Sequence, residues 1–277
     1  MNFKFLFPTF RNRYLFIRKQ LQQHFPITGQ SEILGLNLGT GEGDYDRMVA
    51  AYCKSLIGCD VNEEDLAHAQ HMNSDVVNLR YEANNALDLS YPDQSFDLIV
   101  SCEVIEHVGQ PEKMVQEMAR VLKPGGLAFM TFPSREFPFT YDPINRIYQQ
   151  CYRRPGDREF TISQGAYAFG HDYLIGSIQF KIWAQKAGFE IVTFQGLSRY
   201  LVGLLEVYWT GIAQRVFKKN ALNVTNDTSG GVKIRPASTK EPRLVFITDA
   251  ILALDRLLFS WGSGSIGKGV VLRKKAL

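Results

Sequence analysis

The stretch from residue 33 to residue 60 constrains this chain most. Ile33-Leu34-Gly35-Leu36-Asn37-Leu38 is an apolar run of strand length, and it feeds a turn with glycines at alternate positions, Gly39, Gly41 and Gly43. A helical stretch follows, then a second apolar run, Leu56-Ile57-Gly58-Cys59, that ends on Asp60. Strand, glycine turn, helix and acid-terminated strand open a β-α-β unit suited to the adenosine half of a cofactor. Glycine serves such a turn because it takes φ > 0 and lets a ligand approach bare backbone. Asp60, followed by Val61, stands at the carboxyl end of the second strand, where a carboxylate can accept from two vicinal ribose hydroxyls. A dinucleotide site asks for a third glycine three places after the second. Asp44 holds that position, so a pyrophosphate cradle is disfavoured.

Periodicity extends the pattern along the chain. Phe10, Tyr14, Ile17 and Leu21 share one face of a basic helix over residues 10–25. Strand one covers about 32–38, a helix 44–53, strand two 54–59, and a helix opened by Asn62, Glu63, Glu64 and Asp65 runs through Met72. Those acids suit the positive end of a helix dipole. Strands follow at 77–81, 98–101 and 127–131, the last preceded by a helix over 111–122 and a Lys123-Pro124-Gly125-Gly126 turn. A helix over 174–187, a strand over 190–194 and a last strand over 269–273 complete the alternation.

Four segments in this order resemble the motifs of class I S-adenosylmethionine-dependent methyltransferases, of the small-molecule group that includes the ubiquinone and menaquinone methylases. They are the Gly39-x-Gly41-x-Gly43 turn, Asn85-Ala86 through Tyr91-Pro92-Asp93-Gln94-Ser95-Phe96-Asp97, Glu103-Val104-Ile105-Glu106-His107-Val108, and Arg120-Val121-Leu122-Lys123-Pro124-Gly125-Gly126. The resemblance implies a Rossmann-like α/β fold: a mostly parallel seven-stranded sheet with helices on both faces and, here, a helical insertion before the last strand. It implies S-adenosyl-L-methionine as cofactor. Asn37, Gly39, Thr40, Gly41 and Gly43 would lie by its methionyl part, Asp60 and Val61 by the ribose, Asn85 and Ala86 by the adenine, and Cys102 and Glu103 near the reacting methyl. Asn37 and Asn85 stand where the family usually has acids. An asparagine carbonyl still accepts a hydrogen bond, without the charge.

The same resemblance raises a metal question. Some relatives with a Glu-x-x-Glu-His string use a divalent ion, and Glu103, Glu106 and His107 would share a face if this segment were helical. The string is widespread among metal-free relatives, and no metal is expected.

A chain of 277 residues can bury one α/β core with embellishments, so residues 1–277 read as a single domain. Residues 30–195 and 268–277 form its Rossmann-like part, and 197–267 the insertion. A net charge of +3 without a dense basic stripe argues against a nucleic-acid partner. Cys53, Cys59, Cys102 and Cys151 form no C-x-x-C pair, and Met1–Phe10 lacks a cleavage site, so free thiols and a cytoplasmic location are expected.

Residues 134–172 are rich in aromatics and proline, follow strand five, and are read as a lid over the acceptor site. His171 is the candidate general base, with Tyr141 and Asp142 behind it. Each has a plainer role available: His171 as a helix cap, Asp142-Pro143 as a turn. The insertion holds two apolar helices, 200–217 and 244–261, joined by a polar linker. Glu206, Asp249, Asp255 and Arg256 interrupt them, so neither reads as a membrane span. Leu244, Ile247, Ile251, Leu254 and Leu258 form a stripe expected to pack on the catalytic part, with a lipid-like acceptor or peripheral membrane contact as the sharper alternative. A small, hydrophobic or aromatic acceptor methylated on oxygen is the expectation. A catalytically degenerate cofactor-binding scaffold, suggested by Asn37 and Asn85, and a nicotinamide-dependent oxidoreductase are the competing readings.

Overall fold

The computed structural model describes residues 1–26, 31–136, 175–206, 224–226, 232–234, 238–262 and 264–276. A short 3-10 turn, Phe3–Leu6, leads into α1, Pro8–His24. Then come β1 (Leu34–Leu38), α2 (Asp46–Ala50), β2 (Ser55–Asp60), α3 (Glu63–Met72) and β3 (Leu79–Ala83). The chain continues with β4 (Phe96–Cys102), a 3-10 turn at Ile105–His107, α4 (Pro111–Val121) and β5 (Leu122–Pro133). α5 (Ser177–Lys186) and β6 (Phe189–Leu197) precede helical residues 200–206. A small hairpin, β7 (Val224–Asn226) and β8 (Val232–Ile234), α6 (Val245–Phe259) and β9 (Gly267–Lys274) end the order.

The main sheet has seven strands in the order β3-β2-β1-β4-β5-β9-β6. β1 to β5 are parallel neighbours, and β9 runs antiparallel between β5 and β6. Alternation along each strand divides the core in two. Leu36, Leu38, Ile57, Ile99, Met130 and Val270 face α4 and α5, meeting Met114, Met118 and Phe180. Leu56, Leu98, Val100, Phe129 and Val271 face the other way, against Phe16, Ile17 and Leu21 of α1 and Val49 of α2. Strands apolar on both faces need helices on both faces, and that is the arrangement found. Where strand order reverses, between β1 and β4, the carboxyl edge opens into a crevice.

Several expected boundaries shift for identifiable reasons. β3 starts at Leu79 rather than Val77, because the Asn78 amide donates to the carbonyls of Ala50 and Cys53 and ends the preceding turn there. The Lys123-Pro124-Gly125-Gly126 turn lies within β5 as an irregularity between the pairs Phe96–Leu122 and Leu98–Leu127, with Gly125 at φ 79°. The β7–β8 hairpin occupies part of what reads in the sequence as linker.

The largest departure is in the insertion. α6 lies against α1 and Phe3–Leu6, but it buries Thr248, Leu252 and Asp255. Of the stripe expected to pack inward, Leu244, Ile247, Leu254 and Leu258 are exposed and Ile251 is only half-buried. Polar anchors chose the inward face: Thr248 Oγ1 donates to the Leu6 carbonyl at 3.2 Å, and Asp255 accepts backbone N–H groups of Arg199 and Leu201 at 2.6 and 2.9 Å.

Candidate active site

The glycine turn is drawn over the end of β2 by its own backbone. The N–H groups of Gly39 and Thr40 both donate to the Cys59 carbonyl, at 2.8 and 2.9 Å. Gly39, at φ 72°, could carry no side chain: a Cβ would come within 2.3 Å of Val104. Gly41 has φ 53° and nothing within 4 Å of where a Cβ would stand, so its open side faces the crevice. Asp60 Oδ2 accepts the Gly41 N–H at 2.9 Å and Oδ1 accepts the Asn62 N–H at 3.0 Å. One carboxylate thereby ties the glycine turn to the start of α3.

Behind the turn lies a polar centre that sequence reading missed. Asp46, fully buried, accepts from Asn37 Nδ2 at 2.5 Å, Thr40 Oγ1 at 2.6 Å and Tyr81 Oη at 2.8 Å. Burial lifts its pKa above the ordinary carboxylate value, and these three donors offset only part of the rise. The centre explains Asn37. An acid there would set two carboxylates at hydrogen-bond distance, whereas the amide donates to both Thr40 Oγ1 and Asp46. The acid of this centre comes from α2 and lies behind the turn, outside the cleft lining. Its sequence signal was an acid at a helix start, indistinguishable from a surface residue.

These pieces surround a cleft of ≈ 570 Å³. Asn37, Gly39, Thr40 and Gly41 line one side, Asp60, Val61, Asn85 and Ala86 another, and Cys102 and Glu103 the end of β4. Gly43 stands outside, where a Cβ would meet Asn73 and Ala69 at 2.8 and 2.9 Å; it permits close packing of α3. Asn85 Oδ1 accepts the Leu87 N–H at 2.9 Å, so the side chain holds its own turn as well as facing the cleft.

The amino-terminal segment forms the cleft's roof, contributing Lys4, Phe10 and Arg13. Lys4 Nζ bridges Glu42 and Asp44 at 2.7 and 2.6 Å, and Asn2 Nδ2 donates to Asp44 at 2.7 Å. Its pKa is raised: burial opposes the charge, and the two carboxylates more than compensate. Arg13 Nη1 meets Glu103 Oε2 at 2.9 Å, while Thr131 Oγ1 donates to the other Glu103 oxygen at 3.0 Å. Glu103 sits at φ 57°, its N–H held by the Thr131 carbonyl at 2.9 Å. The Cys102 thiol is pushed up to about 12 by burial, so it stays protonated.

The helical face that would have joined Glu103, Glu106 and His107 does not form. Only Ile105–His107 is helical, as a 3-10 turn, and Glu103 is engaged by Arg13 and Thr131. Glu106 is fully buried with neither carboxyl oxygen hydrogen-bonded among the described residues, and its pKa is driven well up by burial and by Glu103. Burial thus disfavours its charged form, which makes it a poor metal ligand. Among the described residues no three His, Cys, Asp or Glu side chains converge on one point. His107, half-exposed, faces the cleft. His171, Tyr141 and Asp142 lie outside the described residues, as do Cys151 and all of 137–174.

The charge of the cleft selects among cofactors. Five carboxylates line it, Glu42, Asp44, Asp60, Asp65 and Glu103, against Lys4 and Arg13. A pyrophosphate would meet net negative charge, while a ligand carrying a sulfonium and an ammonium is suited to it. Fold and cleft together define a Rossmann-like enzyme of the class I methyltransferase type. Residues 36–130 match the family described as "Methyltransferase domain". The ubiquinone biosynthesis O-methyltransferase of Coxiella burnetii is 25% identical over 188 residues, 65% of this chain and 71% of that protein. A Mycolicibacterium smegmatis protein named "Probable S-adenosylmethionine-dependent methyltransferase" is 34% identical over 108 residues, 39% of this chain and 40% of its own. The solved [4+2]-cyclase SpnF shares the fold at 17% identity and a TM-score of 0.58, covering 94% of this chain and 80% of that one. This chain is a class I S-adenosylmethionine-dependent methyltransferase, and S-adenosylmethionine is its cofactor. The oxidoreductase reading falls with that assignment.

Proposed function

We propose that the enzyme methylates an oxygen of a small, hydrophobic, ring-bearing acceptor, with Asn37, Gly39, Thr40, Gly41, Asp60, Val61, Asn85, Ala86, Cys102 and Glu103 holding the cofactor. The observation that carries this reading is the mixed lining of the cleft. Beside Asp60, which is tied to the glycine turn, it includes the apolar side chains of Phe10, Val104 and Val108 and the Cys102 thiol. The cofactor supplies an already activated methyl group, so the protein's task is alignment and exclusion of water. Lys4 and Arg13, clamped onto Glu42, Asp44 and Glu103, close the cleft from above.

A hydroxyl acceptor needs a base within hydrogen-bond reach. His107 faces the cleft and can serve; His171, with Tyr141 and Asp142, is retained as the alternative from the lid segment 134–172. Oxygen as the target also agrees with the activity named for the Coxiella burnetii relative.

Calorimetric titration with S-adenosylhomocysteine, with NAD alongside, comes first, followed by turnover on alkyl-substituted catechols and on the same rings bearing an amine. Binding of the former alone and turnover of the catechols are expected. Turnover of the amines and not the phenols overturns the oxygen reading. Loss of turnover with retained S-adenosylhomocysteine binding in His107→Gln, but not in His171→Gln, assigns the base to His107; the reverse assigns it to His171.

A further inference from the structure

An amphipathic helix in a globular protein turns its apolar side inward and its polar side to water. α6 does the opposite. Its inward face carries Thr248 and Asp255, both hydrogen-bonded to backbone, with Leu252 between them. Its outward face carries Phe246, Ile247, Leu254, Leu257 and Leu258, with Trp261 just past its end; Phe246 is 63%, Leu257 76% and Trp261 79% exposed. At about 100° per residue the five helical ones lie within one broad sector opposite Leu252. Met1 and Phe3 add exposed apolar surface beside it, since the Asn2 N–H is held by the Lys240 carbonyl at 2.8 Å. Leu204 and Leu205, on the helical residues that Asp255 caps, are exposed too.

Charge around this face is sorted by sign. The acids are turned onto partners: Asp249 and Glu241 pair with Arg11, and Asp255 holds the backbone of Arg199, Leu201 and Val202. The cations Lys240 and Arg243 are exposed just before the amino end of α6. No helix among the described residues is long and apolar enough to cross a membrane, and α6, at 15 residues, spans about 22 Å.

We infer that α6 is a membrane-docking helix that lies in the plane of an anionic lipid surface, its outward side chains inserted and Lys240 and Arg243 against the headgroups. Apolar insertion combined with cationic flanks is the pattern of interfacial helices, and an exposed contiguous apolar face of this kind marks an interaction surface rather than free surface. The placement also has a use. α6 packs on Phe3–Leu6, whose Lys4 roofs the cleft, so docking would set the cleft's mouth near the bilayer.

The test is flotation of the purified full chain with vesicles of phosphatidylcholine alone and of phosphatidylcholine with phosphatidylglycerol. The wild type is expected to float with the anionic vesicles, less so at high salt. The double variant L257E/W261E, altered only at exposed positions, is expected to lose at least tenfold in bound fraction while binding S-adenosylhomocysteine as before. Absence of wild-type flotation, or undiminished flotation of the double variant, overturns the inference. A wild-type dimer in sedimentation velocity that L257E/W261E converts to monomer, without flotation, also overturns it: the face is then covered by a second copy. The readout needs no methyl acceptor, so it stands or falls apart from the transfer chemistry.

Discussion

The carboxyl edge of β1 and β2 and the seam between α6 and helical residues 200–206 are each organised by a buried aspartate, but the donors differ in kind. Asp46 gathers side chains from β1, the glycine turn and β3. Asp255 gathers backbone N–H groups at 199, 201 and 202. The first fixes the shape of a ligand loop by joining segments far apart in sequence. The second starts a helix and anchors it to a neighbour. Losing the first should therefore damage stability and cofactor affinity together, and losing the second stability alone.

Asp46→Ala tests the first half and carries the largest expected effect. Three donors, Asn37 and Thr40 buried and Tyr81 partly so, lose their acceptor, and each such loss costs on the order of 1–3 kcal/mol. Partial relaxation leaves about 4 kcal/mol, read as a fall in the urea midpoint, with S-adenosylhomocysteine affinity falling as the glycine turn loosens. A stable variant with unchanged affinity would show that the backbone bonds to Cys59 hold the turn unaided.

The seam has a pH response of its own. Glu206, buried, accepts from the Thr9 N–H and hydroxyl, yet burial still raises its pKa from 4.5 to about 7. Because the folded value lies above the unfolded one, the stabilising contribution is complete below pH 4.5 and is lost as pH rises through about 7. Glu206→Gln keeps an acceptor for Thr9 and removes the titration. Relative to wild type it should gain as much as about 3 kcal/mol between pH 4.5 and pH 8, followed by urea unfolding across that range. A constant difference across the range would mean that the carboxylate is charged throughout.

Much of the cofactor half was legible because its signals are local. Apolar runs at Leu34–Leu38 and Phe96–Cys102, glycines where φ must be positive, and Asn62 capping α3 each act within a few residues. Asp46, Lys4 and Arg13 were not legible as site residues. Their roles depend on partners 35 to 90 positions away: Tyr81 for Asp46, Glu42 and Asp44 for Lys4, and Glu103 for Arg13. α6 shows the sharper limit. Periodicity correctly gave a helix with an apolar stripe, but a stripe does not state what it faces, and the polar residues Thr248 and Asp255 decided that.

Asp255→Ala probes the second half of the comparison. Removing a side-chain acceptor at a helix start costs about 2 kcal/mol at the upper end. The urea midpoint should fall accordingly while S-adenosylhomocysteine affinity stays within error. A matching fall in affinity would mean that the seam transmits to the cleft through α1 and Lys4, and the contrast between the two aspartates would fail.

The smallest expected effect is also the most direct reading of the cleft. Asp60 ties the Gly41 N–H with one oxygen and the Asn62 N–H with the other, at the exposed end of β2. Both donors can turn to water when the carboxylate is removed, so Asp60→Ala should cost little stability. Affinity is different, because the ribose hydroxyls then lose a charged acceptor in a partly enclosed cleft, and a fall of roughly tenfold, about 1.4 kcal/mol, is expected. Asp60→Asn separates the two duties. Its single carbonyl oxygen can still accept one N–H but offers no charge, so it should bind S-adenosylhomocysteine between wild type and Asp60→Ala. If both variants bind as wild type does, the ribose is held elsewhere and Asp60 belongs with Asp255, as a residue that only begins a helix.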